Sequence, residues 1–468
     1  MIDWLQLGVV CIFFAAMLVI GFLSSRKQKT AADFFVGGRK FGLLTVTATQ
    51  IASAFGGGMM VAHVGIGYQW GFSEFVYIGL IVPAGVLLLA WLAAGWLRQQ
   101  SFYTTSDWMC AQYGESRLLR ATTSIVASLV TFGWWVSQPI ATGKVLNVLT
   151  GVPLEWGIIL AAVIVVIYTM TGGIIAVAYT DVAQLGLMIF ALFVMLPIVV
   201  TAAGGLDTIF ATVPEENLTL FAAGEDVIWG WVMAVLPGQM VLQIYHQRIY
   251  SAKSVKVAKQ GLYNLAFSCI LAGIWASLLG MAVFTLNPDL PDQEQAMMWA
   301  IMAFLPQWMA LLVLAAVAAA IVSTADSALH SAAASITRDF YQVLFKPNAS
   351  DENVLRFSKI CIVILGVLGV VIGLYVPVVF KVLVMGYTLT SAGLLFPLFL
   401  GRIWSGATGI GALCGMLAGV FSVLLFSFFP ALENLLPPIA AGLIASFAVM
   451  VTVSLIKPLK LTPSAQVD

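Results

Sequence analysis

The chain has 468 residues, 61% of them hydrophobic and 9% charged, and its 21 basic and 21 acidic side chains cancel. A soluble domain carries roughly 25% charged residues, so this composition excludes a water-soluble fold and describes an all-α polytopic membrane protein in a lipid bilayer. The balanced charge offers no basic surface for nucleic acid, and the five cysteines form no C-x-x-C pair that would suggest a thiolate metal centre.

Apolar segments long enough to span a bilayer recur about thirteen times along the chain. The first, 4–24, follows MIDWLQLG, which lacks a basic n-region and a small-residue cleavage site, and reads as a retained span. The second, 43–68, carries three consecutive glycines, Gly56 to Gly58. Glycine weakens a helix, and unwound backbone at membrane depth survives only where it lines a cavity or is buried in protein. Close helix packing by small residues accounts for the same glycines. Spans at 74–97 and 120–149 flank the segment 101–117, whose amphipathic pattern predicts an interfacial helix. Spans 153–171 and 177–203 meet at Gly172-Gly173, with Asp181 and Gln184 at i, i+3 just beyond. The seventh, 227–250, holds Pro237-Gly238 in its middle, which predicts a second break there. Two broken spans five apart are the pattern of inverted five-helix repeats whose breaks meet at a binding site.

After 262–286, the ninth span, 298–336, contains the least expected residues. A charge-free apolar run meets Ser323, Thr324, Asp326, Ser327 and then His330. An acid at a bilayer centre costs about 2.5–3.5 kcal/mol. Ser323, Asp326 and Ser327 stand at i, i+3 and i+4, so their oxygens share one helix face and suit a small hard cation. Spans 354–375, 378–400, 405–429 and 435–456 complete the chain. With the N-terminus outside and the C-terminus cytoplasmic, the basic loops gather on the cytoplasmic side. These include Arg26/Lys27/Lys29, Arg117/Arg120, Arg248/Lys253/Lys256/Lys259 and Lys457/Lys460, while Asp207, Glu215, Asp292 and Glu294 fall outside. Lys144 and Lys381 fall off this pattern and can snorkel to an interface. Loops are too short for a nucleotide-binding domain and no G-x-x-x-x-G-K-[ST] occurs, which excludes an ATP-driven pump within this chain. Neither H-E-x-x-H nor a nucleophile–base set stands at usable spacing, so the chain is read as no enzyme. Minimal tails and loops suggest the inner membrane of a bacterium.

The run G-G-x-x-A-V-x-x-T-D-x-x-Q, formed by Gly172, Gly173, Ala176, Val177, Thr180, Asp181 and Gln184, resembles the signature of the sodium:solute symporter family. FFVGGR (Phe34–Arg39), TSDWMCAQYG (Thr105–Gly114) and QRIYSAK (Gln247–Lys253) resemble other blocks of that family, in order along the whole chain. The resemblance implies a leucine-transporter-like fold in a single transporter domain: a leading helix and loop (1–40), repeats at 41–203 and 227–400, and trailing helices at 405–456. It implies sodium-coupled symport of a small organic solute by alternating access. The main sodium site would take backbone carbonyls of Thr49 and Ala52, or of Ala52 and Phe55 if the frame shifts by one turn. It would add the Ala320 carbonyl and the hydroxyls of Ser323 and Thr324. A second sodium would lie between Asp181 and Ser323, Asp326 and Ser327, the Asp326 carboxylate replacing a serine found in several members. A proton through Asp326, Asp181 and His330 is the alternative coupling ion, and a non-transporting sensor or channel is the alternative on the same fold. The ninth span resembles the choline-transporter branch, whose tryptophan cage is matched here only by Trp135, since Ala54 and Leu242 stand at two other cage positions. Ser53, Met59, Gln138 and Gln239, near the breaks or on the facing fourth span, complete the candidate substrate site.

Overall fold

The computed structural model describes residues 30–433 and 435–456, with a few isolated positions before residue 30. The predicted first span, the basic cluster Arg26/Lys27/Lys29 and the terminal Lys457 and Lys460 lie outside the described residues. The described chain is helical throughout. Its sole extended pairing is an isolated bridge between Phe41 and Ala252, reinforced by Lys253 N–H donating to the Phe41 carbonyl at 2.9 Å.

The helices run in order. They are α1 Leu43–Ala54, α2 Gly58–Trp70, α3 Phe75–Leu92, α4 Thr105–Tyr113, α5 Arg117–Thr150 and α6 Leu154–Ala202, kinked at Gly173 where φ is +52°. Then come α7 Glu225–Val241, α8 Gln243–Ser251, α9 Val255–Leu286, α10 Ala296–Phe304 and α11 Gln307–Ile336. The chain closes with α12 Asp351–Tyr375, α13 Val379–Ile403, α14 Gly409–Phe428 and α15 Pro438–Ile456. Nine helices among the described residues are long and apolar enough to cross a membrane, ten when the bent pair α1/α2 counts as one. The expected thirteen also includes the undescribed first segment, the more polar α5, and the first half of α6, whose apolar stretch Leu154–Ile167 is short.

Three predicted elements need correction. The ninth span does not begin at 298, because Pro306 intervenes with φ −56° and ψ 145°. Proline lacks the N–H of a continuing helix and disfavours helical backbone before it, so α10 stops and α11 starts afresh at Gln307. In the seventh span Pro237 stays inside α7 and the break falls at Leu242, with ψ 113°. The segment around α4 is helical, capped by a Thr104/Asp107 capping box, but Trp108 and Met109 are fully buried rather than lying at an interface.

Layering follows side-chain size. From Val313 to Ser335, α11 is almost wholly buried, and its alanines and serines allow the backbones of α1, α5 and α6 to approach closely. By contrast α12 exposes Ile364, Val367 and Val371, and α14 exposes Leu417 and Phe421, an apolar outer surface suited to lipid. The small-residue core around α11 is where both broken spans meet.

Candidate functional site

The two helices α1 and α2 bend by 52° across Phe55 to Gly57. A helix end leaves its last carbonyls without intrahelical partners. At this end the Phe55 N–H donates to Ile51 O, which leaves Ala52 and Ser53 to find partners elsewhere. Ser323 Oγ donates to Ala52 O at 2.9 Å, and Thr324 Oγ1 donates to Ser53 O at 2.9 Å. Thr324 Oγ1 also lies 3.4 Å from Ala52 O, and Ser323 Oγ 2.9 Å from Ala320 O. Four of the five predicted ligands of the main sodium site, Ala52, Ala320, Ser323 and Thr324, are thus brought together. All their converging atoms are uncharged oxygens, the donor set a hard monovalent cation accepts. The negative end of the α1 dipole points into it. Among the described residues no cluster of His, Cys, Asp or Glu could hold a metal ion.

Thr49 is placed differently. It lies one turn inside α1, and its hydroxyl, not its carbonyl, is engaged: Oγ1 donates to Asp181 Oδ2 at 2.5 Å. The carbonyls that meet the α11 hydroxyls are those of Ala52 and Ser53.

Gly56 and Gly57 are required by closeness. A Cβ on Gly56 would lie 2.1 Å from Thr324 Oγ1, and one on Gly57 would lie 2.6 Å from the Ala141 Cβ. The Gly57 N–H freed by the break donates to Gln138 Oε1 at 2.8 Å, so Gln138 supports the unwound stretch from α5. At the second break the Met240 carbonyl is met by His246 Nε2 at 2.9 Å. The other ring nitrogen, Nδ1, is 3.0 Å from Thr105 Oγ1, and Gln243 Oε1 accepts from the Thr105 N–H at 2.8 Å. His246, fully buried, is therefore a brace of the break.

Arg248 departs furthest from expectation. Counted from the sequence among loop cations, it is fully buried. Its Nη2 donates to Ser327 Oγ at 2.6 Å, to Ser53 Oγ at 3.1 Å and to Thr49 Oγ1 at 3.2 Å. Ser53 Oγ and Ser327 Oγ are 2.8 Å apart. Its charge interacts with both Asp181 and Asp326. Of the residues expected to hold a second sodium, Ser327 bonds this guanidinium directly, Asp181 is linked to it through Thr49 Oγ1, and Asp326 acts on it through its charge. His330 packs its ring edge on Phe34, with centroids 4.7 Å apart.

Beside the α1/α2 break lies a cavity of about 40 Å³ lined by Met59, Trp134, Gln138, Gln239, Tyr245 and Tyr387, among others. Met59, Gln138 and Gln239 are where the substrate reading expects them, and Gln239 Nε2 donates to the Tyr387 hydroxyl at 2.9 Å. Two expected members are absent from the lining. Ser53 turns to Arg248, and Trp135 faces α12, donating from Nε1 to Leu365 O at 3.1 Å. Its neighbour Trp134 lines the cavity instead, edge-on to Tyr387. Neighbouring residues on a helix differ by about 100° in direction, and the sequence carried no signal for which tryptophan faces inward. His63 also lines the cavity and pairs with the buried Glu74 at 2.9 Å. Lys144 Nζ donates to Asp292 Oδ2 at 2.7 Å and Glu294 Oε2 at 2.5 Å, both in the loop expected outside.

Comparison with known proteins places this geometry. The family model described as the sodium:solute symporter family matches residues 34–419. The chain is 26% identical to the sodium/proline symporter of Escherichia coli over 447 residues, 91% of this chain and 88% of that one. It is 25% identical to a human high affinity choline transporter, covering 88% of this chain and 75% of that one. In fold it is similar to a Na+-coupled sialic acid symporter, with a TM-score of 0.82 at 21% identity, over 97% of this chain and 98% of that one.

Proposed function

Because the chain belongs to the sodium:solute symporter family, we propose that its α1/α2 break is the centre of a sodium-coupled solute importer working by alternating access. It is an integral, multi-pass membrane protein, and sodium is the coupled ion. The observation that carries the site is the meeting of Ser323 and Thr324 hydroxyls with the carbonyls released at the end of α1. In this reading Ala52, Ala320, Ser323 and Thr324, with a carbonyl one turn beyond Ala52, hold the ion. The ion ties α11 to the break, and the solute binds across Met59, Trp134, Gln138, Gln239 and Tyr387. No covalent chemistry is required.

A cavity of about 40 Å³ holds little more than one water, so binding requires the breaks to separate as one helical unit rocks against the rest. The repeats at 41–203 and 227–400 supply those units, with the N-terminus outside a bacterial inner membrane and the C-terminus in the cytoplasm. No Arg, Lys, Asp or Glu lines the cavity. Amides and aromatic rings suit an uncharged or zwitterionic polar solute, in keeping with the relative named for proline. A thermal-shift screen of the purified protein across amino acids, sugars, carboxylates and quaternary amines, with and without sodium, tests this. A solute whose stabilisation requires sodium supports the reading, and stabilisation that is equal in potassium overturns it.

A further inference from the structure

We propose that the Arg248 guanidinium, bonded to Ser327 and to Thr49, the partner of Asp181, is a resident cation standing in place of a second sodium, so that this chain holds one sodium ion rather than two. The inference rests on the sodium-symport reading. Arginine stays charged at any physiological pH, and α8 delivers this one to the heart of the protein with no exposed surface. A buried charge needs both opposite charge and hydrogen-bond acceptors. Arg248 has the first from Asp181 and Asp326. It has the second from Thr49 and Ser53 on α1 and Ser327 on α11.

Asp181, Asp326 and Ser327 are among the groups a second sodium would use. The Ser327 hydroxyl already accepts the shortest Arg248 bond, at 2.6 Å. Thr49 accepts from Arg248 and passes its own hydrogen to Asp181. Ser323, the remaining expected ligand, points to Ala52 O and Ala320 O and belongs with the main site. A sodium ion entering this cluster would sit beside a fixed positive charge. Two unit charges about 4 Å apart at an effective dielectric near 20 repel enough to weaken binding by roughly a thousand-fold. The arrangement also accounts for Asp326. A carboxylate in this helix costs insertion energy, and a guanidinium in the field of two acids is better compensated than one in the field of Asp181 alone. Because Arg248 reaches α1 and α11 from α8, it ties the second break to the first by a cation that never leaves.

Equilibrium binding of radioactive sodium alone to the purified full-length protein counts the sites without any solute. One ion per chain is expected for the native protein. Arg248→Gln, which removes the charge and leaves both carboxylates, should bind two, the saturating stoichiometry rising from one ion per chain to two. Arg248→Lys, which keeps the charge, should still bind one. Two ions on the native protein would overturn the proposal while leaving sodium symport intact, and that count stands even if Arg248→Gln does not fold. A folded Arg248→Gln protein with unchanged main-site affinity and only one bound ion would also overturn it. No bound sodium at all would instead remove the symport reading beneath it.

Discussion

Gly56→Ala tests the main ion site through a single methyl group. The added Cβ would lie 2.1 Å from Thr324 Oγ1, 2.5 Å from the Thr324 Cβ and 2.9 Å from Gln138 Oε1. Ordinary contact begins near 3.4 Å, so α11 or the break must give way by about an ångström. Thr324 has a short, branched side chain held at χ1, and rotating it away surrenders its bond to Ser53 O. Overpacking of this kind costs about 1–3 kcal/mol. If that cost falls on the ion-binding geometry, sodium affinity drops roughly 5- to 150-fold, at about 1.4 kcal/mol per tenfold. The assay is thermal unfolding over a sodium titration, where stabilisation follows RT ln(1 + [Na+]/Kd). Gly230→Ala is the control: a Cβ there meets nothing within 4 Å, and alanine in a helix is favourable by up to about 1 kcal/mol. A sodium half-saturation for Gly56→Ala equal to that of the native protein would refute the reasoning, whatever happened to the baseline melting temperature.

Ser323→Ala and Thr324→Ala should each raise the sodium concentration for half-maximal transport by roughly tenfold, about one lost oxygen ligand at 1–1.5 kcal/mol. Unchanged sodium dependence in both would discard the site. Lys144→Gln leaves Glu294, only 4% exposed, without its cation, and should cost about 3 kcal/mol of stability. The Asp292 half of the pair, being more exposed, contributes little. Glu294 also accepts the Phe380 N–H at the start of α13, at 3.1 Å, so Lys144→Gln/Glu294→Gln should recover part of the loss. An unaltered melting temperature in Lys144→Gln would refute the ion-pair account.

Legibility in the sequence tracked locality. The spans were readable because apolar length is a property of one segment, and the first break because Gly56 to Gly58 weaken a helix on their own. The second break was placed too early. Pro237 was an obvious local candidate, but prolines inside membrane helices are tolerated where neighbours satisfy the backbone. The break at Leu242 is instead held on one side by Thr105, which lies 138 residues away from its partner Gln243, with His246 bracing the Met240 carbonyl locally. Arg248 was misread for the same reason. It follows QIYHQ and precedes a lysine-rich stretch, so it looked like a loop cation. The three hydroxyls that receive it are 79, 195 and 199 residues away. The family signature around Asp181 marked one wall of that cluster but said nothing of what stands inside it.

These placements also constrain how ion and solute binding are coupled. Three consecutive residues divide the work at the break: Ala52 and Ser53 offer carbonyls to α11, the Ser53 hydroxyl takes Arg248, and Ala54 faces the cavity. Thr324 serves both sides at once, since it bonds the released carbonyls and also lines the cavity beside Gly56. An ion that draws Ser323 and Thr324 onto α1 therefore sets the position of Gly56, Gly58 and Met59, against which the solute must pack. Coupling of this sort amounts to about 1–3 kcal/mol and is reciprocal. The factor by which sodium tightens solute must equal the factor by which solute tightens sodium. Thr324→Ala should shrink both factors together, whereas Ser323→Ala, which touches the carbonyls but not the cavity, should weaken sodium while leaving more of the coupling in place. Equal loss of coupling in the two variants would mean that the ion orders the whole break and that Thr324 has no separate part in transmitting it.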